Sequence, residues 1–282
     1  LSGLVGSEMC IRDRVDTKAD FGLTKVLEGR DWTGTDEFAF ELSATSGDDT
    51  PMPASTDATV RQGNTAIDFG EIAFNKPGEY TYEVREVKGT LGGIAYSDNV
   101  AKITVKATVD TAGKLTAEVT KSKDKVFTNT YSVKPDEFSV TDQITATKVL
   151  DGRDLKEGEF HFELVEGNDV VATGTNDAEG NITMSAVKYT EAGEHTYTLR
   201  EANGGTTSKG ITYSDTKYTI ETTITDNGDG TLSATHELKR ATPATFKNTY
   251  SVTPLETEVD FDLSKAIDGR DWTDTDEFSF TI

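Results

Sequence analysis

The sequence predicts an all-β protein built from tandem β-sandwich repeats. Three observations lead to this fold class: apolar and polar residues alternate along most of the chain, turn-forming glycines recur at short intervals, and one set of motifs returns in order. Segments 100–109 and 218–225 show the alternation most clearly, and both are rich in β-branched residues. Many short strands separated by turns are typical of a sandwich.

The repeat is about 120 residues long, which is the size of a whole domain. Its first motif carries a lysine that recurs as Lys25, Lys148 and Lys265. The three copies of this motif read FGLTKVLEGRDW at 21–32, ITATKVLDGRDL at 144–155 and FDLSKAIDGRDW at 261–272. We therefore predict a first repeat at 16–133, a second repeat at 134–253 and the truncated start of a third at 254–282, in which two strands are expected.

Residues 1–15 have no counterpart in the later copies and resemble translated adapter sequence. We predict that they are a non-native leader and leave them out of the fold. They contain the only cysteine, Cys10, so no intramolecular disulfide is expected. No apolar run is long enough to span a membrane and no signal peptide is visible, so an export signal and a wall anchor are expected outside this sequence.

The chain is strongly acidic, with 50 Asp and Glu against 28 Lys and Arg and a net charge of -22. Such a surface repels phosphate backbones and anionic lipids, so we expect no nucleic-acid or membrane partner. The three histidines do not recur between copies, and no metal site or cofactor is expected. The loop DNGDG at 226–230 departs from the EF-hand calcium pattern and is interpreted as a hairpin turn.

Strand parity places a lysine on the buried face of each copy. Side chains two residues apart point to the same side of a strand, so Lys25 shares its face with Leu23 and Leu27. Lys148 has the same neighbours by position in the second copy, and Lys265 in the third. A lysine is thus predicted on the core side three times.

The same parity argument places a glutamate and an asparagine in the core of each complete repeat. Glu86 ends YTYEVRE at 80–86, and Glu201 ends HTYTLRE at 195–201. Asn129 is the third residue of FTNTY at 127–131, and Asn248 of FKNTY at 246–250. Each complete repeat therefore directs one amine, one acid and one carboxamide at its aromatic core.

Burial favours the neutral forms of lysine and glutamate, because an unpaired buried charge is costly. A neutral amine is a nucleophile, and a protonated acid can polarise an amide and move protons. The predicted product is an intramolecular Lys–Asn isopeptide bond with ammonia as the leaving group, formed once per repeat. The fold itself supplies the proximity that drives the reaction.

These motifs, in this order and in two copies, resemble the streptococcal pilin isopeptide-linkage domain of Gram-positive pilins and surface adhesins, a T-antigen-like repeat. The resemblance covers almost all of 16–282. It implies CnaB-like, immunoglobulin-like sandwiches in which Lys25 joins Asn129 with help from Glu86. In the second repeat it implies that Lys148 joins Asn248 with help from Glu201. Lys265 lacks both partners in this sequence and is expected to stay a free amine.

The function implied is structural: stalk or shaft repeats of a secreted protein at the cell wall of a Gram-positive bacterium. The expected partners are further repeats of the same chain, with host ligand and cell wall contacted through segments not in this sequence. The protein is not expected to be an enzyme beyond single-turnover self-cross-linking. These motifs do not separate a pilin backbone subunit from a wall-anchored adhesin stalk, but the stalk is favoured because similar domains follow one another and a third begins.

Two alternatives stay open from the residues alone. The three buried groups can form a Lys–Glu salt bridge capped by asparagine, with no covalent bond. The repeats can also be ligand-binding modules of an adhesin. A glycosidase using Glu86 with Glu79 or Glu83 is disfavoured, because chance pairs are common among 50 acidic residues.

Overall fold

The structure, a computed structural model, describes residues 20–111, 113–240, 243–255 and 259–281, together with the backbone of 15–17. The predicted leader lies outside the described residues except for Val15, which begins the first strand. Within the described part the chain is nearly all β-strand, and the prediction of an all-β fold with tandem sandwiches is confirmed.

The described strands of the first repeat are β1 (Val15–Thr17), β2 (Leu23–Glu28), β3 (Glu37–Ala44), β4 (Asp57–Arg61), β5 (Ala66–Ile67), β6 (Ile72–Phe74), β7 (Gly78–Val87), β8 (Ile94–Ala95), β9 (Val100–Val109), β10 (Leu115–Lys123) and β11 (Val126–Tyr131). They form a sheet of order β10-β9-β7-β3-β4, a second of order β5-β2-β11-β8, and a small β1-β6 pair. The two larger sheets face each other across the core, where Phe40 of β3 meets Phe127 of β11 with ring centroids 5.1 Å apart.

The described strands of the second repeat are β12 (Asp136–Phe138), β13 (Ala146–Asp151), β14 (His161–Glu166), β15 (Asp169–Asn176), β16 (Ile182–Met184), β17 (Val187–Tyr189), β18 (Gly193–Glu201), β19 (Thr207–Ser208), β20 (Ile211–Thr212), β21 (Lys217–Asp226), β22 (Leu232–Leu238) and β23 (Ala244–Tyr250). A short 3-10 helix, Val140–Asp142, follows β12. The sheets have the orders β16-β15-β14-β18-β21-β22, β13-β23-β20-β19 and β12-β17. Phe162 and Phe246 meet across this core as Phe40 and Phe127 do in the first, again at 5.1 Å.

The first and last long strands of each repeat lie side by side in parallel, which brings the two ends of the repeat together. In the first repeat β2 pairs with β11, so that Lys25 lies opposite Phe127. In the second repeat β13 pairs with β23, and Lys148 lies opposite Phe246. This pairing joins segments about 100 residues apart, so it depends on contacts that are distant in sequence.

A glycine after the first strand allows the chain to turn against the end of the last one. Gly29 and Gly152 have φ of 92° and 99°, a region open to glycine. A Cβ atom built on either would lie 2.2 Å from the carbonyl oxygen of Tyr131 or Tyr250, respectively. The glycine of the GRD motif is therefore needed for this close approach.

The two repeats touch through the hairpin turn that the sequence places at 226–230. The turn joins β21 to β22, as predicted. The Tyr131 hydroxyl donates to Asp226 Oδ1 at 2.5 Å and accepts from the Gly230 N–H at 3.0 Å. The Lys134 N–H donates to the Gly230 carbonyl at 2.8 Å, so the linker is tied to the same turn. Sequence reasoning did not anticipate this contact.

The third copy differs from the expectation. Residues 259–281 contain no strand, although two were predicted. Phe261 is 56% exposed and Leu263 is 72% exposed. The physical reason is the pairing described above: this motif pairs with the last strand of its own repeat, and the sequence contains no third copy of that strand.

Candidate cross-link sites

The lysines of the two complete repeats are buried in the sandwich cores. Alternation along β2 turns Leu23, Lys25 and Leu27 inward, and Lys25 is only 2% exposed. Lys148 of β13 is 3% exposed. The amino groups lie 4.7 Å and 4.4 Å from the ring centroids of Phe38 and Phe160, so each site has an aromatic wall.

The asparagines come from the neighbouring strand of the same sheet. Leu27 pairs with Asn129 and Leu150 with Asn248, so each asparagine lies one pleat beyond the lysine on the same face. Both asparagines are fully buried. Parallel pairing of the first and last strands therefore presents the amine and the carboxamide to one point in the core.

The glutamates approach that point from the opposite sheet. In the first repeat, Lys25 Nζ lies 3.0 Å from Glu86 Oε1 and 3.1 Å from Oε2. Asn129 Nδ2 donates to the same Oε1 at 2.8 Å. One carboxyl oxygen thus contacts both the lysine nitrogen, which would form the new amide bond in a condensation, and the asparagine nitrogen, which would leave as ammonia.

The second repeat reproduces this arrangement almost to the tenth of an ångström. Lys148 Nζ lies 3.0 Å from Glu201 Oε1 and 3.2 Å from Oε2, and Asn248 Nδ2 donates to Oε1 at 2.8 Å. The structure therefore brings together all three predicted residues in both complete repeats. Their covalent linkage remains a prediction.

The surroundings make each buried amine easier to deprotonate than an exposed lysine. Burial lowers the pKa of Lys25, and the hydrogen bond and charge of Glu86 offset this only in part. Burial likewise lowers the pKa of Lys148 against the opposing effect of Glu201. A lysine with a lowered pKa spends more time as the nucleophilic amine than an exposed lysine does.

A main-chain donor completes each site, and sequence reasoning missed it. The Ser97 N–H donates to Asn129 Oδ1 at 2.7 Å and to Glu86 Oε2 at 3.2 Å. The Ser214 N–H makes the same two bonds, to Asn248 Oδ1 at 2.7 Å and Glu201 Oε2 at 3.2 Å. The available signal was the recurrence of IAYSD at 94–98 as ITYSD at 211–215.

Lys265 is not placed like the other two lysines. It lies in the segment without strands, is exposed, and contacts the Phe278 ring at 4.8 Å from its centroid. The prediction that it faces a core is wrong for this chain. Lys265 is exposed for the same reason as Phe261: the segment has no last strand to pair with.

The other side chains considered from the sequence do not gather into a site. Glu83 faces outward and pairs with Arg85 and Lys102, so it points away from Glu86, and Glu79 is exposed. Among the described residues no group of three or more His, Cys, Asp or Glu side chains is arranged to hold a metal. In the same part of the chain, no helix has the length and apolar character needed to cross a bilayer.

Comparison with known proteins gives a family. The model of the FctA family, a Spy0128-like isopeptide containing domain, matches residues 21–132 and 144–251. No curated protein matches the chain.

Solved structures that resemble the chain include two from pili. The major pilin of Streptococcus pyogenes is 16% identical, with 81% of this chain and 97% of that chain covered and a TM-score of 0.30. A C-terminal fragment of the pilus adhesin SpaC from Lactobacillus rhamnosus GG is 14% identical, with 83% and 98% covered and a TM-score of 0.25. The family match spans well over half of the chain, and the chain therefore belongs to the family of Spy0128-like isopeptide-containing domains.

Proposed function

We propose that the two complete repeats are shaft segments of a Gram-positive pilus or surface adhesin, each closed by a self-formed isopeptide bond between Lys25 and Asn129 or Lys148 and Asn248. The observation that supports this most is the repeated contact of one carboxyl oxygen with both the amine and the carboxamide nitrogen. A pilin and an adhesin stalk would use such repeats in the same way.

In the proposed reaction, Glu86 first takes a proton from the Lys25 ammonium. The neutral Nζ then attacks Asn129 Cγ, forming a C–N bond and placing negative charge on Oδ1. Glu86 gives its proton to Nδ2 and takes another from Nζ, and the intermediate expels ammonia as the carbonyl re-forms. Atoms balance, because amine and carboxamide become one amide and one ammonia, and Glu86 ends in the acid form.

The strand pairing explains what the bond would do. It would tie β2 to β11, two strands that lie near the two ends of the first repeat. Pulling on the two ends would load the amide and leave the intervening strands unloaded. By analogy with a disulfide, closing a loop of about 100 residues would also stabilise the fold by roughly 4–5 kcal/mol. An amide does this without dependence on redox conditions.

Such repeats would suit an extracellular protein that extends another domain from the cell wall. The acidic surface keeps the shaft soluble and gives it no attraction to nucleic acid. Its partners would be further repeats of the same kind, and contact with a host ligand or the wall would be made by other segments. The reaction occurs once per repeat, so the protein is proposed not to be an enzyme in the usual sense.

Intact-mass spectrometry of the purified chain tests this proposal. We expect a mass lower than that of the sequence by two ammonia molecules. Lys148→Ala and Glu201→Ala should each reduce the mass deficit from two ammonia molecules to one. The matched control Lys265→Ala should leave the deficit at two. A mass equal to that of the plain sequence would contradict the proposal and leave the buried salt bridge as the role of these residues.

A further inference from the structure

We infer that the backbone N–H groups of Ser97 and Ser214 are catalytic groups of the cross-linking reaction: each stabilises the oxyanion that forms on the asparagine side chain. This inference rests on the proposed function and adds a residue to it. Each N–H lies 2.7 Å from the oxygen on which negative charge develops when lysine attacks. A fixed donor at that distance, aimed at a buried asparagine, is the arrangement that lowers the barrier of acyl transfer.

The fold holds this donor next to the asparagine. Ser97 follows β8, which pairs with the end of β11, and Ser214 stands two residues after β20, which pairs with the end of β23. The short strand therefore carries the serine to the strand that bears the asparagine. Because the donor is a main-chain group, it needs no side-chain rotamer to be in place.

The serine side chain fixes the direction of its own N–H. Ser97 Oγ accepts from the Asn99 N–H at 3.2 Å, and Ser214 Oγ accepts from the Thr216 N–H at 3.3 Å. This local turn leaves the serine N–H pointing inward. The hydroxyl thus has a positioning role, while the N–H touches the reacting atom.

The two oxygens of Glu201 both contact the amine but differ in their second partner. Oε1 also accepts from the carboxamide nitrogen, so it lies on the path of the proton. Oε2 shares the Ser214 N–H with the asparagine oxygen, at 3.2 Å against 2.7 Å. As charge grows on Oδ1, the N–H bond to that oxygen strengthens, and no proton has to be transferred there.

The test replaces the Ser214 amide with an ester by incorporating the α-hydroxy acid that corresponds to serine, which removes the N–H and keeps the side chain. The same change at Thr216 is the matched control, because it removes the turn bond to Ser214 Oγ and leaves the Ser214 N–H. Chains are made by cell-free synthesis, and the loss of ammonia is followed by mass with time. Peptide mapping assigns each loss of ammonia to a repeat, so the unaltered first repeat serves as an internal reference for the reaction rate.

We expect the Ser214 ester to slow cross-linking of the second repeat by about 100-fold or more, the size of effect seen when one oxyanion donor is removed. The first repeat should react at its normal rate, and the Thr216 ester should slow the second repeat far less. An equal rate in a folded Ser214 ester chain would overturn the inference. No ammonia loss from the unmodified chain would instead defeat the proposed function itself.

If the Ser214 ester chain does not fold, the inference is tested instead by NMR of the Ser97 and Ser214 amide protons in the unmodified chain. Ser97 and Ser214 N–H groups bonded to the cross-link oxygen should be shifted downfield in the NMR spectrum and exchange slowly with deuterium. Fast exchange at both positions would overturn the inference.

Discussion

The segment 259–281 and the start of the second repeat have nearly the same motif and very different structures. In the second repeat the motif forms β13, and Lys148 is buried between two sheets. In the third copy the motif forms no strand, and Lys265 is exposed. The difference lies in the partner strand, since β13 has β23 beside it.

The third copy keeps the ion pair within its first motif, although it lacks the strand pairing that buries the lysine in the second repeat. Arg270 pairs with Asp276 through both guanidinium nitrogens, at 2.7 Å and 2.6 Å, as Arg30 pairs with Asp36 in the first repeat. These residues are six apart in sequence. The motif therefore encodes its turn by itself, whereas burial of its lysine depends on a strand about 100 residues away.

The largest effect is expected from making the second repeat resemble the third copy. Deleting residues 244–282 removes β23 and should unfold the second repeat, at a cost of its whole folding free energy, about 5–15 kcal/mol for a domain. Lys148 should then be acetylated by an amine-reactive ester as readily as Lys265 is in the full chain. Mass spectrometry of the labelled peptides measures this.

Deleting only 256–282 is the control, because it keeps β23 and should leave Lys148 protected. Lys25 should stay protected in both truncated chains. If Lys148 resists acetylation in the chain without β23, burial of the lysine does not depend on the last strand, and the explanation of the third copy fails.

A smaller effect is expected from removing the acid and keeping the fold. Glu201→Ala leaves a buried lysine without its carboxylate. Removing one partner of a buried pair lowers the free energy of unfolding by about 3–5 kcal/mol. The double variant Lys148→Met/Glu201→Leu should recover much of that loss, because apolar groups of similar volume replace both charges. Neither variant can form the cross-link, so their difference isolates the unpaired charge.

Urea denaturation measures both variants through the transition of the second repeat, with the first repeat as reference. Equal stabilities of the single and double variants would show that Lys148 avoids the cost in another way, such as by reaching solvent.

Strand parity was sufficient to predict that the six residues of the two candidate sites face the core, because alternation fixes the face of a side chain without knowledge of the partner strand. It failed for Lys265 because residues 259–281 form no strand and therefore pack against no second sheet. It also missed the Ser97 and Ser214 donors, because the recurring YSD motif marks the position but does not indicate that its backbone N–H is the group in the site. The contact of Tyr131 with Asp226 joins two repeats, and a pattern within one repeat contains no trace of it.

The smallest effect concerns the local turn of the third copy. The Arg270 guanidinium lowers the pKa of Asp276 to about 2, with help from the Thr273 N–H. A lowered carboxyl pKa means that the turn gains from the ionised form above the ordinary pKa of about 3.9, and that this gain disappears as the pH falls toward 2. Carboxyl carbon NMR should show Asp276 titrating near pH 2.

In Arg270→Ala the midpoint should rise toward the ordinary value, and the melting of the second repeat should not change. An Asp276 midpoint that is already ordinary in the unaltered chain would mean that the turn does not form alone. The contrast between a turn encoded locally and a lysine buried by a distant strand would then be lost, because both would require the closed sandwich.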